Sequence, residues 1–313
     1  IETWTCLDRM EGRPVFAPVL KSWEAKMRVP FDEAKAESQY QRALAAWKTN
    51  SEVLKAEGKP VPWKPQKQVA PRLDKNYPGN DVNGMIAPII GYAIRGAIWY
   101  QGENNAMSDF PQLYEAQLKL LIQDWRQRWG EGDFPFAWVQ LPNFQIKNPA
   151  QAALNKWAVV RECMLRTLSV TNTGMAVTID VGEPHYIHPH NKQAVGQRLA
   201  LWALAKVYGE NIPYSGPLPA GQKIDGDKIR LSFTHADCGL LARGGELKGF
   251  AIAGADHKWV DANARIEGNQ VIVSSPEVKA PVAVRYAWAD NPTCNLFNGA
   301  GLPASPFRTG NGE

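Results

Sequence analysis

The chain has 313 residues, 44% hydrophobic and 21% charged, a balance that excludes a disordered, collagenous or coiled-coil protein and allows one large domain or two smaller ones. Its formal charge is +4 with Lys and Arg scattered, so no nucleic-acid surface is expected. No run of about eighteen apolar residues occurs, so no membrane-spanning segment is expected either.

Residues 1–30 mix short apolar pieces with prolines. Residues 31–58 are rich in Ala, Glu, Lys and Gln, with Leu44, Trp47 and Leu54 near helical spacing, which predicts a helix or helical hairpin. Residues 59–78 carry five prolines and read as an extended surface connector. From there the text becomes α/β. Apolar runs at 94–100, 134–141 and 175–179 predict buried parallel strands. Amphipathic stretches at 110–129, 151–168 and 191–208 predict helices, the first stopping at Gly130 and the last at Gly209. Alternation of this kind predicts a parallel sheet covered by helices on both faces. Beyond residue 209, short β-type runs at 223–232, 247–253, 264–273 and 282–288 predict a small antiparallel sandwich. Residues 291–309, rich in Pro, Gly and Asn, read as a loop packed back on the first domain. The expected organisation is an α/β domain over 1–210 with a helical insertion at 31–78, a β-sandwich over 211–288, and a tail over 289–313.

Cys6, Cys163, Cys238 and Cys294 are widely spaced and form no CxxC pair, which argues against a zinc or redox site. They read as free buried thiols, or as one long-range disulfide in an exported protein. The opening Ile-Glu-Thr-Trp-Thr lacks an initiator Met and a signal peptide and reads as the interior of a longer polypeptide. Twelve tryptophans serve a core, or supply flat apolar faces for sugar rings.

Two segments carry the chemistry. Trp99-Tyr100-Gln101-Gly102-Glu103-Asn104-Asn105 follows a predicted strand, and carboxyl ends of strands in open α/β sheets are where ligands bind. Gly102 permits a tight turn, and an amide there can donate to a developing oxyanion. The competing reading is a polar loop that satisfies its own backbone. The second segment runs from Asp180 to His190 and holds three of the five histidines. Pro189 restricts the backbone of His188, which with Asp180 and Glu183 nearby makes a general base. His185, His188 and His190 could instead ligate a metal, or His185 and His190 could be solvated loop residues.

Together with "FPFAWVQLPNF" and "VRYAWADNPTCNLFNGAGLPASPFRT", the stretches "GAIWYQGENNA" and "MAVTIDVGEPHYIHPHNKQAVGQRLALWALAKVYG" closely resemble the sialate O-acetylesterase family of SGNH hydrolases. The resemblance implies an SGNH-type α/β fold with a β-sandwich module, and hydrolysis of O-acyl, usually acetyl, esters on sugars. It implies that His188 is the catalytic histidine and that Gln101, Gly102, Glu103 and Asn105 form the block contributing to an oxyanion hole. The expected substrate is an acylated sugar or small ester, with no cofactor and no metal, in a periplasmic or extracellular setting.

Two departures qualify that pattern. The family's Gly-Gln-Ser-Asn segment, which carries the nucleophile on the first strand, is absent, so the nucleophile is unassigned and expected upstream. Where many relatives place Asp two residues before the histidine, this chain has Tyr186, so Asp180, Glu183 or a backbone carbonyl would orient His188. Alternatives are a general carboxylesterase using Ser22, Ser108 or Ser215, and a non-catalytic carbohydrate-binding remnant. A missing first strand would expose a sheet edge, which makes a homodimer an expectation.

Overall fold

A computed structural model describes residues 1–145, 155–236 and 238–310. It divides into two compact units: Glu2–Tyr92, and Ala93–Glu313 together with Ile1. The boundary expected near residue 210 falls inside the larger unit.

In the smaller unit, α1 (Ala17–Arg28) buries Val19 and Trp23, and Trp23 meets Tyr77 edge to face at 5.3 Å. The stretch predicted as a helix or hairpin is a single helix, α2 (Glu33–Ala56), capped by the Asp32 carboxylate on the Lys35 N–H. The proline-rich connector runs back along it. Trp47 Nε1 donates to the Pro62 carbonyl, and Lys67 pairs with Glu37.

The larger unit begins with three parallel strands, β1 (Ala97–Trp99), β2 (Phe136–Val139) and β3 (Thr173–Ala176), in that spatial order. β2 is buried at every residue because it is central and covered on both faces. Between the strands lie α3 (Tyr114–Trp129) and α4 (Lys156–Thr167), and α5 (Lys192–Lys206) follows β3. α3 stops where expected: Gly130 takes the left-handed conformation (φ 70°) and returns its N–H to Arg126. Residues 151–154 of the predicted second helix lie outside the described residues. β3 begins two residues earlier than its apolar text, because Thr173 and Gly174 extend the parallel register against Phe136 and Ala137. Gly174 is required there: a Cβ would come within 2.0 Å of the Trp202 indole of α5. That helix is thereby keyed onto β3.

The antiparallel module comprises two four-stranded sheets and a ribbon. One sheet has the order β4 (Leu218–Asp225), β5 (Lys228–Thr234), β10 (Gln270–Ser274), β9 (Asn263–Glu267). The other has the order β13 (Phe307–Arg308), β11 (Pro281–Tyr286), β7 (Phe250–Gly254), β8 (Trp259–Asp261), while β6 (Leu240–Ala242) pairs with β12 (Leu296–Asn298). Ile229, Leu231, Val271 and Val273 of the first sheet share a core with Phe250, Ile252, Val284 and Phe307 of the second. Two expected single strands are corrected to hairpins. The runs at 223–232 and 264–273 fold back at Gly226 (φ 61°) and Gly268 (φ 58°), where Asp-Gly and Gly-Asn steps supply the turn. The tail is likewise more than a loop, since it contributes β12 and β13.

Among the described residues no helix is long and apolar enough to cross a membrane. Cys163 and Cys294 are unbridged, and burial pushes both thiols up to about 11; Cys238 is unbridged and exposed, not buried as expected.

Candidate active site

All three parallel strands point their carboxyl ends the same way, so the segments after β1, β2 and β3 gather at one edge of the sheet. After β1, Gly102 has φ 151° and lies against Met164 and Leu141, which a Cβ would approach to 2.8 and 3.2 Å. Only glycine fits this turn. A one-turn helix (Glu103–Ala106) then buries Asn105.

The amides of this turn are organised by one another. Asn105 Oδ1 accepts from Gln101 Nε2 (2.8 Å) and from the backbone nitrogen of Ile1 (3.0 Å), while Asn105 Nδ2 donates to Gln117 Oε1 at 3.4 Å. The Tyr114 hydroxyl holds the Gln101 carbonyl at 2.8 Å. Asn105 is therefore a buried bracket, and Gln101, half-buried, is the more exposed of the two amides. The Tyr100 hydroxyl is buried with no partner among the described residues, and burial, reinforced by Glu103, pushes it up to about 12. Glu103 is half-buried at the start of the one-turn helix.

After β3 the chain forms the histidine loop. Its base is a two-pronged pair: Arg198 of α5 holds both oxygens of Asp180 at 2.6 and 2.8 Å and also donates to the Val177 carbonyl. Its mouth is closed by Glu183, which accepts from both the backbone N–H (2.7 Å) and Nδ1 (2.8 Å) of His190. These two hydrogen bonds hold the Glu183 carboxyl below its ordinary range. His188 sits between Glu183 and His190 in the sequence and is exposed, and Pro189 behind it is buried.

The acids expected for His188 are Asp180 and Glu183. Asp180 is committed to Arg198, Glu183 to His190, and no hydrogen bond among the described residues joins either to His188. His190, read as a solvated loop residue or metal ligand, is the partner that shapes the loop. Among the described residues no His, Cys, Asp and Glu cluster is placed to hold a metal.

One contact ties the two segments together: Lys192, at the start of α5, lies 4.7 Å from the centre of the Tyr100 ring. A second tie was missed in the sequence. Asn143, after β2, accepts the Gly182 N–H at 2.7 Å and donates to Asn291 of the tail at 3.0 Å. Gly182 has no room for a side chain, since a Cβ would lie 1.9 Å from the Asn143 carbonyl oxygen. The signal was available: Asn143 is the first polar side chain beyond Leu141-Pro142 at the end of an apolar strand. Behind it, fully buried Arg161 donates to the carbonyls of Leu141, Pro142, Ala289 and Asp290 at 2.6–2.8 Å.

The three candidate serines are all engaged locally. Ser108 Oγ donates to the Asn105 carbonyl and accepts from the Phe110 N–H; Ser22 Oγ donates to Val19 within α1; Ser215 Oγ donates to the adjoining Gly216 carbonyl.

A family model described as carbohydrate esterase, sialic acid-specific acetylesterase, matches residues 80–205, which include both site segments. Mouse (Mus musculus) sialate O-acetylesterase is 32% identical over 251 residues, covering 72% of this chain and 46% of its own length. The human (Homo sapiens) protein of that name is 31% identical over 250 residues, with 72% and 47% covered. The chain belongs to the sialate O-acetylesterase family. A solved structure, a carbohydrate acetylesterase from Xanthomonas citri, is similar with a TM-score of 0.73 at 44% identity, covering 77% of this chain and 56% of that one. The chain thus spans about half the length of the curated family members it matches. Within the family match lie all of Gln101, Gly102, Glu103, Asn105, Asp180, Glu183 and His188; the antiparallel module follows it.

Proposed function

We propose that this chain carries the histidine and the oxyanion-side amides of a serine-type carbohydrate O-acetylesterase. The observation that carries the reading is the presentation of exposed His188 on a loop closed by Glu183 and His190, tied through Lys192 to the turn that holds Gln101. The names of the mouse, human and Xanthomonas citri proteins support an O-acetyl ester on a sugar as the substrate class. No Gly-x-Ser occurs in the 313 residues, and Ser22, Ser108 and Ser215 are bonded to their own neighbourhoods. The nucleophile is accordingly assigned to a segment outside them.

In the reaction, the serine oxygen attacks the acetyl carbonyl as His188 takes its proton, and the Gln101 amide donates to the oxyanion. Collapse of the tetrahedral species breaks the bond to the sugar oxygen, which receives the proton from His188. Water, deprotonated by the same imidazole, then attacks the acetyl-enzyme and releases acetate. Pro189 and the loop closure orient the imidazole, in place of a carboxylate.

The test joins this chain to an N-terminal segment bearing Gly-x-Ser and measures acetate release from O-acetylated sugars. Activity should rise by several orders of magnitude over the isolated chain, and His188→Ala in the joined protein should remove at least about a hundredfold of it. Full turnover by the isolated chain, with a serine-directed phosphonate labelling a residue within 1–313, would overturn the assignment.

A further inference from the structure

A cavity of about 740 Å³, in the size range of small-ligand sites, is lined by the antiparallel module, by Gln145 and Asn155 of the α/β part and by residues 289–293 of the tail. It lies on the outer face of the sheet formed by β11, β7 and β8. Phe250 and Ile252 of β7 turn inward to the sandwich core, leaving Ala251 between them as part of the cavity floor. Cross-strand register sets Arg285, Ala251 and Asp261 in one row, and Trp259 shares the face of Asp261 two residues along.

Arg285 is the feature that needs an explanation. Its guanidinium lies 3.9 Å from the ring centre of Trp259 and 5.5 Å from that of Trp288, and both indoles line the cavity. Among the described residues it makes no hydrogen bond and no ion pair, and its Nε is buried without a partner. The neighbouring carboxylate is already taken: Arg308, beside Arg285 in the sheet register, holds both oxygens of Glu162 at 2.8 and 3.0 Å. Asp261, two strands away and exposed, forms no ion pair with it. Burial, with Arg308 close by, lowers the Arg285 pKa. A half-buried cation with an unsatisfied donor edge is costly unless an anion completes it. Stacking on an indole fixes the plane of a guanidinium and leaves its edge to pair two-pronged with a carboxylate.

We propose that this cavity is a second carbohydrate-binding site, specific for an acidic sugar, in which Arg285 takes the sugar carboxylate and Trp288 the apolar face of the ring. It goes beyond ester hydrolysis, because no residue of the Gln101 turn or the histidine loop lines the cavity. The two regions share a frame, since Asn291 of the cavity wall is the partner of Asn143, which holds Gly182.

The test uses the full chain and sugars without O-acyl esters. N-acetylneuraminic acid and glucuronic acid are titrated by calorimetry and tryptophan fluorescence, with glucose and acetate as controls. At least one of the two acids should bind saturably, and glucose and acetate at least about tenfold more weakly. Arg285→Met, which keeps the side-chain bulk, should raise the Kd at least about tenfold. Trp288→Ala should do the same and provides the reading if Arg285→Met fails to fold. His188→Ala should leave binding unchanged, so loss of hydrolysis and loss of this site are separable. Absence of binding by both acids, glucose or acetate binding as tightly as the acids, or an unchanged Kd in the variants would overturn the proposal.

Discussion

Glu183 and His190 are joined twice, through the backbone N–H and through Nδ1 of the histidine, both to the same carboxylate oxygen. This double contact closes a loop of which His188 is an exposed member. It has a pH signature. The folded-state pKa of Glu183 is depressed, so the contact is complete above the ordinary glutamate value of 4.5 and is lost as pH falls through the lower folded value. The His190 amide proton, followed by NMR, should titrate with a midpoint below 4.5. A midpoint at or above it would show that the carboxylate does not hold this amide.

Gln101→Ala should lower kcat by about a hundredfold, the scale of losing one oxyanion donor, with little change in KM. Asn105→Ala should act in the same direction, because Asn105 Oδ1 holds the Gln101 amide. Steady-state kinetics on an O-acetylated sugar, in the protein joined to its nucleophile segment, checks both. A rise in KM with unchanged kcat would reassign the turn to ground-state binding.

Gly182→Ala places a methyl group against the Asn143 backbone, which cannot rotate away. A loss of about 1–3 kcal/mol in unfolding free energy is expected. Asn143→Ala should cost a similar amount by leaving the Gly182 N–H without its acceptor. Denaturant melts of the two single variants and the double variant should be markedly non-additive, since both act on one contact.

Arg161→Met removes a buried cation that four carbonyls share. Destabilisation of at least about 3 kcal/mol is expected, as several buried acceptors lose their donor at once. An urea midpoint within error of the parent would sink this account.

Much of the sheet was legible because its signals are local. The run Phe136–Val139 is apolar throughout, as a strand covered on both faces must be, and Gly130 marks the end of α3 by its backbone freedom. Strands β6, β8, β12 and β13 escaped notice because two or three residues carry no period of their own; pairing with longer neighbours defines them. In the site, the segments could be found but not their wiring. Asp180 and Glu183 sit equally well placed in the sequence to serve His188, and nothing local shows that one pairs with Arg198 and the other with His190. Nothing in the predicted helix over 151–168 singles out Arg161, whereas long-range contacts place it fully in the interior.

The Asn143–Asn291 bond spans 148 residues of sequence. On the ribosome, the histidine loop leaves the tunnel well before Asp290 and Asn291 do. Until that later segment emerges, Asn143 lacks one of its two partners and Arg161 lacks half of its carbonyls. The histidine side of the site therefore reaches its final form late in synthesis, after most of the antiparallel module has been made, and a chain interrupted before residue 289 would carry the histidine loop without this brace.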